Sequence, residues 1–317
     1  MNNSIRKPWL LVLTIGLGTL LNPLNSSMIS VALTRMQHEF GLTFADATWL
    51  ISVFYLASAV GQPVMGRLSD MFGPKKVFLT GLLLVAVACG FAPFSTNFAF
   101  LLSCRALQAI GSSALFPSGM SIVRTSITEG QAKALSTLSI FSTTSAAFGP
   151  SIGGFIIDSW DWPAIFIVNF PFILLSFVLA ITILPSTGRG KFNLERIDVG
   201  GILLFIISIV ALILFLLSLE KQIHWSALFI FFIFSFIFYM YEKNWKEPFI
   251  DIIALKTNLN VSLVYVQFIC INLVYYCYFL VFQRFSNKYT IIARNRPALL
   301  CWHWPVLVLL LHLWQDD

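Results

Sequence analysis

Nine runs of mostly apolar residues, each long enough to cross a membrane as a helix, occupy most of this sequence. A transmembrane helix needs about 20 apolar residues to cross about 30 Å of hydrocarbon, and its backbone must bond internally because lipid offers no hydrogen-bond partner. The runs cover residues 8–33, 47–66, 77–94, 98–123, 135–157, 163–184, 200–219, 225–241 and 260–282. The sequence therefore predicts an all-α membrane protein.

The composition agrees with lipid as the main solvent. Hydrophobic residues make up 58% of the 317 residues and charged residues 11%, whereas a soluble domain is about 45–50% apolar and about 25% charged. These values exclude a soluble domain and a disordered chain. The net charge of +6 is explained by membrane topology, so we expect membrane lipid, and no nucleic acid, as the surrounding partner.

Lysine and arginine residues are concentrated in alternate loops. If the N-terminus lies inside, the cytoplasmic segments up to the ninth run hold thirteen basic residues, and the four outer loops hold only Arg35 and Lys221. Basic residues in short loops stay on the cytoplasmic side during insertion. We therefore expect a multi-pass protein of the plasma (inner) membrane with a cytoplasmic N-terminus.

A basic motif, residues 66–76, separates the second and third runs. Its glycines suit a turn and close backbone approach, and its aspartate can accept hydrogen bonds from a helix N-terminus or pair with an arginine. The motif predicts a tight cytoplasmic loop that acts as a gate. An ordinary basic loop is the alternative, but it does not explain the spacing of the glycines and the aspartate. The candidate residues are Gly66, Arg67, Asp70, Gly73, Lys75 and Lys76.

The fourth run contains an arginine at membrane depth. Arg105 and Gln108 lie one helical turn apart, and Gly111 follows on a similar face. An arginine in this position costs about 2.5–3.5 kcal/mol on insertion scales, so it should face the bundle interior or a wet cavity and marks a functional site. Arg105 lies about seven residues inside the run, which disfavours the alternative of a side chain that snorkels from a helix end.

The fifth run combines a proline with small residues. Gly149-Pro150 and Gly153-Gly154 are spaced for close helix contact around a kink. This segment predicts a pivot, with plain packing of small residues as the alternative.

The cysteines lie inside apolar runs without metal-ligand spacing and are predicted to be small buried residues. They are Cys89, Cys104, Cys270, Cys277 and Cys301.

These three motifs, in this order, resemble those of the major facilitator superfamily over about residues 8–282. Val31-Ala32-Leu33 after the first helix, and two helices after the long loop, resemble its fourteen-helix drug:proton antiporter branch. The resemblance implies two six-helix bundles around a central cavity. It also implies a secondary transporter, not an enzyme, that exports a hydrophobic drug or metabolite in exchange for protons and uses no cofactor.

The resemblance divides the chain into five segments. Residues 1–184 form the N-terminal six-helix bundle, 185–199 a cytoplasmic loop, and 200–241 a linking helix pair. Residues 242–282 form a loop and the first helix of an incomplete second bundle. The tail, 283–317, carries basic residues on the wrong side for nine crossings. It is predicted to be aberrant, as after a frameshift, with an odd tenth helix as the alternative.

The sequence departs from the family at the group that should carry a proton. The antiporter branch commonly has an aspartate in helix one where this chain has Asn25, and asparagine does not titrate. All 14 acidic residues are predicted in loops or at helix ends. We therefore expect an incomplete and non-functional transporter, with an inert or regulatory membrane fragment as the alternative. A membrane enzyme would need paired carboxylates or a histidine cluster at membrane depth, and the sequence has neither.

Overall fold

A computed structural model describes residues 8–185, 198–219, 223–245, 248–250 and 257–290 of the chain. Within these ranges the regular structure is helical, with no strand. The α-helices are α1 (Pro8–Thr19), α2 (Leu21–Glu39), α3 (Phe44–Ala47), α4 (Trp49–Phe72), α5 (Pro74–Phe91), α6 (Phe98–Ser113), α7 (Leu115–Ser126), α8 (Gln131–Trp160), α9 (Ala164–Ile167), α10 (Asn169–Ile183), α11 (Val199–Ser218), α12 (Trp225–Asn244) and α13 (Leu259–Thr290).

Eight helical segments in the described residues are long and apolar enough to cross a membrane. These spans are Pro8–Glu39, Ala45–Phe72, Pro74–Phe94, Phe98–Ser126, Gln131–Trp160, Ala164–Ile183, Val199–Ser218 and Trp225–Asn244. They match the first eight predicted runs, which confirms the all-α membrane fold. The ninth run lies within α13, of which Leu259–Ile271 is a shorter apolar helix.

Three spans are interrupted near a proline. The interruptions follow α1, α6 and α9, which end at Thr19, Ser113 and Ile167. The residue four positions after each of these is a proline, namely Pro23, Pro117 and Pro171. Because proline has no N–H, the carbonyl four residues before it loses its helical hydrogen bond. The lost hydrogen bond favours an interruption at these three positions, although α4 and α8 continue through Pro63 and Pro150.

The predicted loop between the second and third spans is wrong. Helix α4 continues to Phe72 and α5 begins at Pro74, so Gly73 alone separates them. Gly73 has φ +93°, a region that favours glycine, and proline suits the first position of the next helix, where no N–H is needed. The helix extends beyond the apolar run because polar residues outside the hydrocarbon still make backbone bonds along it.

The described part of the chain belongs to two compact units, residues 1–236 and 237–317. In the first unit α2 packs against α8, α5 and α4 pack against α6, and α1 packs against α10. The predicted segment boundaries stay predictions. Residues 186–197 of the cytoplasmic loop and 291–317 of the tail lie outside the described residues.

The prediction that the cysteines are buried holds for only part of the set. Cys89 and Cys104 are buried, but Cys270 and Cys277 are exposed, and Cys301 lies outside the described residues. The reason is that lipid tails are as apolar as a protein core, so an apolar side chain on a membrane helix needs no protein cover.

Candidate functional site

Arg105 is completely buried in α6, with 0% of its surface exposed. Its Nη1 donates to Gln108 Oε1 at 2.5 Å, and its Nε lies 3.4 Å from the carbonyl oxygen of Leu50. The guanidinium carbon lies 4.3 Å from the centroid of the Phe54 ring, an arrangement in which the ring face attracts the cation. The second span therefore provides both a carbonyl and an aromatic face for the arginine of the fourth span.

Gln108 connects this arginine to a third span. Its Nε2 donates to Cys89 Sγ at 3.1 Å, so α4, α5 and α6 all contribute to one buried polar cluster. Arg105 Nη2 has no hydrogen-bond partner among the described residues. The cluster thus holds a fixed positive charge with one donor still available.

Gly111, the third residue of this predicted motif, serves close packing. A Cβ at this position would lie 2.9 Å from the carbonyl oxygen of Gly81 and 2.8 Å from Leu84 Cβ. Real Cβ atoms do not come so close to backbone, so a side chain here would force α5 and α6 apart. Gly111 therefore permits the helix approach that brings Cys89 within reach of Gln108.

Asn25, the predicted polar site of helix one, is buried against the sixth span. Its Nδ2 donates to the carbonyl oxygen of Leu21 at 2.7 Å, and its Oδ1 accepts from Asn169 Nδ2 at 2.8 Å. Asn169 is 0% exposed, and its Oδ1 has no partner in the described part of the chain. A pair of neutral amides therefore crosslinks α2 and α10 inside the bundle.

The glycine motif of the fifth span lies partly in a helix contact. A Cβ on Gly149 would overlap the Ser27 side chain, and a Cβ on Gly153 would lie 3.1 Å from Met28 Cα. Gly154 has no described atom within 4 Å of its Cβ position. Gly149 and Gly153 share one face of α8, and this face packs against α2. Pro150 lies inside the continuous helix α8 and is exposed.

The residues of the predicted gate lie far from Arg105. Leu50, beside the arginine, and Asp70 are about 20 residues apart on α4, which is about 30 Å along a helix. Asp70 is exposed and makes no hydrogen bond within the described ranges. Lys75 Nζ donates to the carbonyl oxygens of Ile181 and Leu184 at 2.8 and 2.7 Å.

The other members of this motif lie in the last two turns of α4, at the α4–α5 connection or in the first turn of α5. The Cβ position of Gly66 lies 3.6 Å from Pro117, Arg67 is partly buried, and Lys76 is exposed. Gly73 forms the connection itself. The structure therefore brings Lys75 to the end of the sixth span and leaves Asp70 and Lys76 facing outward.

Two buried polar residues and one hydrogen bond were not expected from the sequence. The residues are Asn169, described above, and Glu242, which lies in the last turn of α12 and is 2% exposed. The bond is the one from Gln108 to Cys89, a residue whose burial was predicted. The rule that identified Arg105, a polar residue within an apolar run, also applies to Asn169. Among the described residues, no group of three or more histidine, cysteine or acidic side chains is arranged to hold a metal ion.

A bundle of membrane-crossing helices, with buried polar groups that link one span to the next, defines a multi-pass integral membrane protein. The sequence profile of the Major Facilitator Superfamily matches residues 15–312, and the chain belongs to this family. The family and the similar proteins below are transporters, not enzymes.

Three curated relatives come from Bacillus subtilis (strain 168). The uncharacterised MFS-type transporter YwoD is 49% identical over 266 residues, which cover 83% of this chain and 59% of YwoD. The uncharacterised MFS-type transporter YvkA is 33% identical over 303 residues, covering 92% of this chain and 66% of YvkA. Multidrug resistance protein 3 is 27% identical over 255 residues and is covered to 49%. The chain thus spans less than two thirds of the length of each.

A solved structure has the same fold. The crystal structure of the peptide transporter POT in complex with sulfate superimposes with a TM-score of 0.56 and 16% identity, covering 73% of this chain and 52% of POT. The family match runs to residue 312 and includes most of the tail that is predicted to be aberrant. A frameshift in that segment stays a prediction.

Proposed function

We propose, in place of the non-functional copy expected from Asn25, that this chain exports a small hydrophobic drug or metabolite as a secondary active transporter of the fourteen-helix drug:proton antiporter branch. It lies in the plasma (inner) membrane with its N-terminus in the cytoplasm. A proton gradient supplies the energy. Alternating access in this family's fold requires two bundles around a central site, and the first unit contributes the bundle that holds Arg105.

The observation that carries this proposal is the buried arginine. Burying an unpaired charge is unfavourable unless hydrogen bonds compensate it, and Arg105 receives compensation from Gln108, Leu50 and Phe54. A charged side chain at membrane depth is costly to insert and therefore marks a functional site. Nη2, unpartnered among the described residues, provides a donor for an acceptor group that enters the bundle during transport.

The name of Multidrug resistance protein 3 supports a drug as substrate, with 27% identity over 78% of this chain.

The charge of the cluster around Arg105 narrows the substrate class. Arg105 is a cation, and the acidic residues described in the first unit lie in loops, in the short helix α3 or at helix ends. Neutral and anionic compounds are therefore favoured over cationic drugs.

The alternative is an inert or regulatory membrane fragment with no transport of its own. The observation that favours it is the Asn25–Asn169 pair. Two neutral amides occupy the helix-one polar site, and neither side chain can bind and release a proton near neutral pH. Proton coupling would then require a different group.

Flux in proteoliposomes distinguishes the two proposals. The 317-residue chain is reconstituted with a pH-sensitive dye inside, a pH gradient is imposed, and hydrophobic drugs of positive, zero and negative charge are added in turn. We expect drug movement accompanied by proton movement. Because Arg105 contacts three partners, Arg105→Gln should reduce flux about tenfold or more. The matched control is Arg124→Gln, at an exposed position near the end of α7, which should leave flux unchanged.

The outcomes separate clearly. Drug flux without proton movement contradicts antiport and indicates downhill transport. Equal flux in Arg105→Gln and the wild type contradicts the role given to the arginine. If no compound moves with either protein, the inert or regulatory fragment becomes the better account.

A further inference from the structure

Lys75, at the start of the third span, contacts the end of the sixth span. It is the second residue of α5, and its Nζ lies 2.8 Å from the carbonyl oxygen of Ile181 and 2.7 Å from that of Leu184. These acceptors are 106 and 109 residues away in sequence. The contact is therefore tertiary, between the start of the third span and the end of the sixth.

The two carbonyls are acceptors because α10 ends there. The last four carbonyls of a helix have no intrahelical partner, and together they carry the negative end of the helix dipole. Leu184 has φ −67° and ψ 130°, which is extended backbone, so the helix does not continue. A lysine ammonium at this end both donates hydrogen bonds and complements the dipole.

The neighbouring lysine shows that the contact is specific. Lys76 follows Lys75 directly, yet it is exposed and makes no hydrogen bond to any residue that the structure describes. Gly73 and Pro74 fix the first turn of α5, and they thereby determine which of the two lysines points toward α10. Position 75, rather than basic charge in general, makes the contact.

We propose that Lys75 is an interhelical clamp that holds the end of the sixth span against the start of the third. The middle of α10 is held separately, because Ser176 Oγ donates to the carbonyl oxygen of Thr14 in α1 at 3.0 Å. The clamp therefore acts on the last turn of α10. It fixes the point at which the chain leaves the first bundle, so that the third and sixth spans move together.

Hydrogen–deuterium exchange on the full chain in lipid nanodiscs tests the clamp without requiring transport. Lys75→Met keeps an unbranched side chain, one atom shorter than that of lysine, and removes its charge and donors. Because hydrogen bonds to charged groups are among the stronger ones, amides near the C-terminal end of α10 should exchange about tenfold faster in this variant. Lys76→Met, the matched control, should exchange like the wild type, and amides of α8 should be unchanged in both.

Unchanged exchange at the end of α10 in Lys75→Met would overturn the proposal. The proposal also fails if exchange at the end of α10 in the wild type depends on whether the nanodisc lipid is zwitterionic phosphatidylcholine or anionic phosphatidylglycerol, because Lys75 would then bind an anionic lipid headgroup. If Lys75→Met exchanges fast in every span, the decision rests on two milder variants. Slow exchange at the end of α10 in Lys75→Arg, with faster exchange in Lys75→Gln, supports the clamp, and equal exchange in the two overturns it.

Discussion

Asn25 differs from an aspartate by its amide nitrogen, Nδ2, and an aspartate can bind and release a proton whereas an asparagine cannot. Its Oδ1 accepts from Asn169, and its Nδ2 donates to Leu21. In Asn25→Asp the carboxyl keeps the first bond in either protonation state, but it needs a proton to donate to the Leu21 carbonyl. Because an ionised carboxylate is unfavourable in this buried site, we expect the variant to be more stable at about pH 5 than at about pH 8, as thermal unfolding in detergent would show.

The control for this prediction is Asn25→Ser, which lacks a titrating group and should show the same pH dependence as the wild type. Proton uptake by the detergent-solubilised Asn25→Asp protein gives a second measurement. If the Asn25→Asp protein unfolds at the same temperature at both pH values, water reaches the site even though only 3% of Asn25 is exposed.

Which residues the sequence could predict depends on the range of their contacts. Arg105 and Gln108 are one turn apart in a single helix, so periodicity alone places them together. Cys89 and Asn169 receive their roles from partners 19 and 144 residues away. No local pattern encodes such a contact, and an apolar run gives a buried cysteine and a lipid-facing cysteine the same appearance.

The contact between helices α2 and α8 depends on two small residues, Ser27 and Gly149. A Cβ on Gly149 would overlap Ser27, and overpacking of this kind costs about 1–3 kcal/mol. We therefore expect Gly149→Ala to lower the temperature of thermal unfolding in detergent. Gly154→Ala is the matched control, since its Cβ meets no described atom within 4 Å, and alanine favours a helix over glycine by about 1 kcal/mol.

The double variant identifies the cause. If the clash is with the Ser27 side chain, Ser27→Gly should restore much of the stability lost in Gly149→Ala. Gly149→Ala and Gly154→Ala proteins of equal stability would contradict the close contact, and with it the packing that a pivot on this face requires.

The helices themselves were largely predictable, because hydrocarbon thickness fixes their length. The connection between α4 and α5 was not, since the apolar run ends about six residues before the helix does. Apolar periodicity reports where lipid ends, whereas a helix ends where a residue such as Gly73, with φ +93°, takes the backbone out of it.

In the whole first unit, contacts hold the bundle at both ends. Successive spans cross the membrane in opposite directions, so the end of the first span and the turn between the fifth and sixth share one face, and Lys75 lies on the other. On the first of these faces Trp162 Nε1 donates to Glu39. Trp162 is 2% exposed, and its ring contacts Phe40 and Phe166 at centroid distances of 5.9 and 6.2 Å.

This pairing predicts the behaviour of Glu39 variants. Glu39→Leu leaves the buried indole N–H without its acceptor, which should cost about 1–3 kcal/mol, whereas Glu39→Gln keeps an oxygen acceptor and should lose less. Both are measured by thermal unfolding in detergent. The fluorescence of Trp162, isolated as the difference from Trp162→Phe, should shift to longer wavelength in Glu39→Leu as water reaches the ring.

The matched control is Glu129→Leu, an exposed loop position. Equal stability of Glu39→Leu and Glu129→Leu would mean that ring packing alone holds this face. A double variant that combines Glu39→Leu with Lys75→Met tests whether the two contacts stabilise the bundle independently. The two contacts share no residue and lie near opposite ends of the sixth span, so their effects on stability should add within about 0.5 kcal/mol. A larger combined loss would show that the sixth span, released at both ends, separates from the bundle as one cooperative unit.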